Sequence, residues 1–174
     1  MLLIGYTSGL RISNLVGLNL SADIERTDRG LLIHVRKSKT DQFGEGAAKL
    51  LLPQSNRLLC PVDAWNAWLL YRGELGEAAF CPIDRQGTVL TSLRLTKRSA
   101  QRMIVERATR AGVELVTSHS MRRSMATVAL EKGKSLNSVR RQGGWKSFDS
   151  LQPYIDEVEL GIDNASSGLL DEVE

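Results

Sequence analysis

One segment of the chain alternates where most of the rest follows a helical spacing. In Leu31-Leu-Ile-His-Val-Arg-Lys-Ser-Lys39, Ile33 and Val35 fall on one face of an extended backbone. A glycine-rich stretch, Phe43–Ala48, follows, and Lys49-Leu-Leu-Leu-Pro53 returns. That order predicts a β-hairpin with a long polar connection. Phe80-Cys-Pro-Ile83 reads as a third short strand. So little strand leaves one fold class: mainly α with a small three-stranded antiparallel β-sheet.

The remaining apolar residues recur at helical spacing. Pro61 suits a first helical turn, with Ala64, Trp65, Trp68 and Leu69 behind it. A basic helix is expected from about Thr96 to Ala111, ended by Gly112. It turns Met103, Ile104 and Ala108 inward and carries Lys97, Arg98, Arg102, Arg107 and Arg110. Thr117-Ser118 reads as the cap of a helix from His119 to Lys132, stopped by Gly133. Ser135 caps a short helix holding Val139, which Gly143-Gly144 end. Phe148, Leu151 and Ile155 mark one face of the next helix, and Ala165–Val173 reads as a small amphipathic one.

A chain of 174 residues and 19.2 kDa suits one globular domain. Met1-Leu-Leu-Ile-Gly5 reads as the tail of a core helix that begins upstream. No apolar run approaches the ~20 residues a membrane span needs, so no membrane partner is expected. Cys60 and Cys81 each precede a proline without a CxxC pattern, which suits reduced, buried thiols in a cytosolic protein. Charge is unevenly placed. Residues 1–154 hold all 23 basic side chains and 13 of the 20 acidic ones, a net charge of +10, and the acids from Asp156 onward have no base among them. A basic body with an acidic tail suits a polyanionic partner.

Several side chains are of the types that phosphoryl transfer uses. Arg11, in GLRISNL, stands at the start of a helical pattern and offers a forked donor to an anion. His119 and Arg122 are three residues apart and share a helix face. Lys39 lies where the first hairpin strand runs out. Trp145 follows two glycines, and its indole N–H is a donor while its ring packs. Tyr154 follows Pro153. Taken singly, each also reads as a surface charge or a packed aromatic.

Their order and spacing are more telling. GLRISNL, ERTDRGLLIHVRKSKT, SHSMRRSMAT and GGWKSFDSLQPYI together resemble the tyrosine recombinases, also called phage integrases. Within that family the pattern is most similar to Cre recombinase and its relatives. The resemblance implies the catalytic-domain (DNA breaking-rejoining) fold over residues 1–156, with 157–174 an acidic tail. It implies a site-specific recombinase whose Tyr154 attacks a DNA phosphate, leaving a 3′-phosphotyrosine and a 5′-hydroxyl. Arg11 and Arg122 would bind the non-bridging oxygens, where charge develops. His119 would handle a proton, Lys39 would protonate the leaving oxygen and Trp145 would position the phosphate. Because the phosphotyrosine keeps the linkage energy, no ATP, metal or other cofactor is implied.

The implied partners are double-stranded DNA and further protomers, as a tetramer on paired sites. DNA-contact candidates are Arg36, Lys37, Lys97, Arg98, Arg102, Arg123, Arg140, Arg141 and Lys146. Leu169 and Leu170 would anchor the tail on a neighbouring protomer. The implied location is cytoplasmic and nucleoid-associated, in a bacterium or on a phage or plasmid. Three departures stand out. Asn14 occupies the place of an acid that buttresses the first arginine in many relatives. Pro153 predicts a kinked or mobile segment before Tyr154. The N-terminal core-binding domain of the family is absent, which fits a fragment or a truncated gene. Two further readings stay open: a DNA-binding remnant without catalysis, and a type IB topoisomerase-like relaxing enzyme.

Overall fold

The structure is a computed structural model that describes residues 1–36, 47–117 and 119–162. Helices α1 (Leu2–Ser8), α2 (Ile12–Gly17) and α3 (Leu20–Asp23) lead into strands β1 (Ile24–Thr27), β2 (Gly30–Val35) and β3 (Ala47–Leu51). Helix α4 (Pro61–Arg72) follows a 3₁₀ turn at Arg57–Leu59. After an irregular stretch come α5 (Lys97–Arg110), α6 (Ser120–Glu131), α7 (Leu136–Gly143) and α8 (Gln152–Ile162). No described helix is long and apolar enough to cross a membrane. The expected helix at Ala165–Val173 lies outside the described residues, as does most of the hairpin connection.

The sheet is antiparallel in the order β1-β2-β3. Ile33 pairs with Ile24 on one side and Lys49 on the other, and Leu31 pairs with Leu51. Its third strand is β1, not Phe80–Ile83, of which only Ile83 makes an isolated bridge, to Val89. Pro82 has no N–H to give a ladder, whereas Ile24–Thr27 folds back onto β2 through the two residues Asp28-Arg29. Glu25 and Arg26 are both exposed, so β1 has too little alternation to be read from sequence.

Three packed clusters hold the elements together. The first joins the inner face of the sheet to α1 and α4 through Ile4, Leu15, Leu31, Ile33, Leu51 and Trp65. Trp65 meets Phe80 edge-on at 5.9 Å. The second sets α5 on α2 through Ile12, Val16, Ala100 and Ile104. The third joins α6, α7 and α8 through Ala126, Val139, Leu151 and Ile155. Each large side chain buried this fully stabilises the fold by about 1.5–3 kcal/mol. Arg94 adds a polar clamp: its Nη1 donates to the carbonyls of Val16 (3.0 Å) and Leu18 (2.8 Å), at the end of α2.

Of the helix starts, Ser135 caps α7 as expected and the Thr117-Ser118 cap does not form. Thr96 accepts from the Ser99 N–H, Ser135 from the Ser138 N–H, and Pro61 opens α4. At α6 the cap position is His119 instead of Thr117-Ser118. Thr117 forms a tight turn ahead of it, its hydroxyl accepting from the His119 N–H; Ser118 lies outside the described residues. Around α8, Leu151 and Ile155 are buried as expected, but Phe148 is exposed and lies under the Arg140 guanidinium at 5.3 Å. Pro153 does not kink the chain. It falls in the first turn of α8, where no intrahelical partner awaits its missing N–H, and Tyr154 N–H bonds to Leu151 at 2.9 Å.

Candidate active site

Helix α1 ends at Gly9, whose left-handed backbone (φ 60°) turns the chain into α2. Arg11 is the N-cap residue of α2, held in extended geometry, while Ile12, Leu15 and Val16 anchor the helix below it. Its guanidinium has no hydrogen-bond partner among the described residues. Asn14 does not buttress it: the Asn14 side-chain oxygen instead accepts weakly from Ser13 at 3.4 Å.

Arg122 projects from α6 into the interior and is 6% exposed. Its Nη1 donates to the carbonyl of Gly9 at 2.7 Å and to that of Gly143. One guanidinium nitrogen therefore ties the end of α1 to the end of α7. The other, Nη2, is buried with no partner among the described residues. The Trp145 ring covers the guanidinium, with its centroid 3.9 Å from Cζ. Tyr154 packs on Trp145 with centroids 5.8 Å apart. Burial, and then repulsion from Arg11, lowers the Arg122 pKa to about 10, while the Tyr154 phenol nearby pulls it up. Arg11, Arg122, Trp145 and Tyr154 are thus brought together.

The Gly143-Gly144 pair makes this possible. A Cβ on Gly143 would lie 1.6 Å from a ring carbon of Trp145, so only glycine lets the indole fold back under Arg122. Gly144 adopts φ 70° and closes α7, its N–H returning to the Arg140 carbonyl at 2.8 Å.

Lys49 makes a buried contact that was not read from the sequence. It faces inward on β3 and is only 3% exposed. Its Nζ donates to the Gln142 carbonyl at the end of α7. Gln142 in turn donates through Nε2 to the Thr7 carbonyl at 2.8 Å. Burial, then repulsion from Arg122, then from Arg11, lowers the Lys49 pKa to about 7. The available signal was a lysine in phase with Leu51, on the apolar face of a strand.

The other expected residues that the structure describes lie on several elements and the segments between them. His119 is exposed at the start of α6. Lys97, Arg98 and Arg102 line an open hollow at the start of α5. Arg36 holds the buried Asp23 carboxylate at 2.5 Å, and Arg123 lies 3.9 Å from Glu157. Arg140 is engaged with Phe148 and with the Lys146 carbonyl (3.3 Å), while Arg141 and Lys146 are exposed. Lys37, Lys39, Leu169 and Leu170 lie outside the described residues.

The phage integrase family matches residues 1–159. The chain belongs to this family. As a family member it is 28% identical over 172 residues to an integrase/recombinase xerD homolog of Selenomonas ruminantium, covering 95% of this chain and 48% of that protein. It is 32% identical over 154 residues to tyrosine recombinase XerD of Mycobacterium tuberculosis (strain ATCC 25618 / H37Rv), covering 86% and 44%. The chain thus spans less than half the length of these relatives.

Solved structures agree on the fold. XerH site-specific recombinase bound to palindromic difH substrate, a post-cleavage complex, superposes with a TM-score of 0.70 at 19% identity, over 95% of this chain and 44% of that one. A lambda integrase dimer bound to a COC′ core site gives 0.62 at 18%, over 88% and 40%. The mainly α fold with its three-stranded antiparallel sheet is that of tyrosine recombinase catalytic domains.

Proposed function

We propose that this domain is the catalytic part of a site-specific DNA recombinase that works through a phosphotyrosine. The observation that carries the reading is the buried, unpartnered Nη2 of Arg122, in electrostatic reach of both Arg11 and Tyr154. A buried guanidinium donor with no acceptor is costly unless an anion completes it. A phosphodiester supplies that anion and places its phosphorus near the phenol. Tyr154 Oη then attacks phosphorus and the P–O5′ bond breaks, leaving a 3′-phosphotyrosine. The phenolic proton leaves by way of His119 or solvent, and the 5′-oxygen takes a proton from Lys39. Arg11 and Arg122 stabilise the charge that builds on the non-bridging oxygens, and Trp145 holds the Arg122 fork in place. Religation reverses these bond changes with a new 5′-hydroxyl.

The exposed bases Lys97, Arg98, Arg102, Arg141 and Lys146 suit contacts with DNA phosphates, and Arg36, Lys37, Arg123 and Arg140 are further candidates for such contacts. For the tail, with Leu169 and Leu170 among its acids, the complement is an open groove of about 700 Å³. Val128 and Val139 line it, and Lys132, Lys134 and Arg141 supply opposite charge. A neighbouring protomer's tail fits there, giving a tetramer on paired sites.

The test is covalent trapping. Incubated with a sequence-randomised pool of nicked suicide duplexes, the protein forms a DNA adduct that survives denaturant, and Tyr154→Phe forms none. Removing residues 163–174 leaves the adduct but lowers protomer assembly on paired sites. An adduct that persists in Tyr154→Phe overturns the assignment. DNA binding with no adduct at any sequence favours a non-catalytic remnant, the reading that the unsupported Arg11 would fit.

A further inference from the structure

The three cations Arg11, Arg122 and Lys49 form one cluster, and among the described residues no carboxylate bonds to any of them. Lys49 is the most enclosed. Its cross-strand partner Ile33 and the flanking Leu31 and Val35 make the β2 face beside it apolar. His34 points to the opposite face of the sheet, where it meets Glu25 at 3.4 Å. Helix α1, packed on β3, has Tyr6 as its single titratable side chain. Among the described residues, the charged groups acting on the ammonium are therefore Arg122 from α6 and Arg11 at the head of α2. From α7 it meets the Gln142 carbonyl, and its Nζ lies close to Gly144, 3.5 Å from where a Cβ would stand.

We propose that Lys49 is a titrating positioning residue of this anion site. It takes up a proton as a phosphate settles on Arg11 and Arg122, and in that charged form it pins the Gln142–Gly144 turn that carries Trp145. The physical basis is mutual. Two guanidiniums and a dry surrounding oppose a third positive charge, and the depressed pKa of about 7 expresses that opposition. An anion on the guanidiniums cancels much of the repulsion, so the amine becomes an ammonium. A charged donor grips the α7 carbonyl more strongly than a neutral one, and the negative end of the helix favours it. The proton comes from solvent, and no bond other than N–H forms or breaks.

The sign follows from linkage. Below about pH 7 Lys49 is charged with or without the anion. Above that pH, the anion complex holds a proton that the free protein lacks. Anion affinity therefore falls as pH rises through 7 toward the midpoint of the complex, by at most about tenfold per pH unit.

The inference rests on the recombinase reading only for the identity of the anion, and its test avoids DNA. Sulfate is the probe, because its charge is constant from pH 6 to 9, with chloride at equal ionic strength as the control. The Lys49 side-chain NMR signal, assigned through its own backbone, is followed against pH. A midpoint near 7 that rises by about one unit or more in sulfate is expected. Sulfate affinity should also be about tenfold higher at pH 6 than at pH 8.5. In a His119→Gln background, which removes the imidazole proposed for the same site, Lys49→Met should abolish that pH dependence. A Lys49 signal titrating near the ordinary lysine value, or a midpoint that sulfate does not move, overturns the proposal in the wild-type protein alone. Failure of Tyr154 to form an adduct leaves this result standing, and an adduct with an unmoved Lys49 overturns this inference only.

Discussion

At the scale of single residues, the site depends on one missing methyl group. Trp145 reaches the underside of Arg122 because Gly143 leaves the space that a Cβ would share with the indole at 1.6 Å. Gly143→Ala must push Trp145 off Arg122 or move the end of α7. The expected cost is about 1–3 kcal/mol, the range for overpacking a tight core, measured by denaturant unfolding. Adduct formation should fall by more than the loss of folded protein explains, since Trp145 no longer covers the guanidinium. A neutral outcome in both measurements would mean that Trp145 is not held as described. GGW was legible in the sequence as a turn ahead of an aromatic. The requirement for Gly143 in particular was not, because it comes from how far the ring folds back.

Among elements, α8 presents Tyr154 and its start is defined by a proline. The sequence suggested that Pro153 would disturb the helix, because proline disfavours helical geometry before it and lacks an N–H. Position within the helix reverses that expectation: in the first turn the N–H has no intrahelical acceptor to lose. Leu151, fully buried, and Ile155 then fix the rotation of α8 against α6 and α7. Pro153→Ala should lower stability by no more than about 1 kcal/mol, through the freer unfolded chain. The adduct rate should stay unchanged. A large change in rate with small change in stability would instead make Pro153 a hinge. The strand assignments divide along the same line. β2 and β3 were legible because one strand alternates and the other returns, while β1, with a single buried apolar residue, exists because β2 is there to pair with it.

For the whole molecule, charge asymmetry links the fold to its proposed ligand. A net charge of +10 over residues 1–154 suits a polyanion such as the proposed DNA, and the exposed head of α5 concentrates Lys97, Arg98 and Arg102 in one hollow. If these three contact backbone phosphates, replacing all of them by glutamine weakens duplex binding across sequences. It should also flatten the log–log salt dependence by up to about 2–3 units. Tyr154 adducts at saturating protein should persist. An unchanged salt slope would remove α5 from the interface, leaving Arg141 and Lys146 among the exposed bases to be tested next.

By itself the sequence determined the helical spacing, the hairpin and the ordered set Arg11, His119, Arg122, Trp145 and Tyr154, because local periodicity and motif order are properties of neighbours along the chain. Only the tertiary structure decided which of these groups meet. Arg122 reaches the Gly9 carbonyl across 113 residues, and Lys49 reaches that of Gln142 across 93. No local pattern specifies such contacts, since they follow from the angles at which three apolar clusters lock the helices together. The same packing removes water from Lys49 and from Arg122 Nη2. An ordinary strand lysine and a helix arginine thereby become a cationic site in need of an anion.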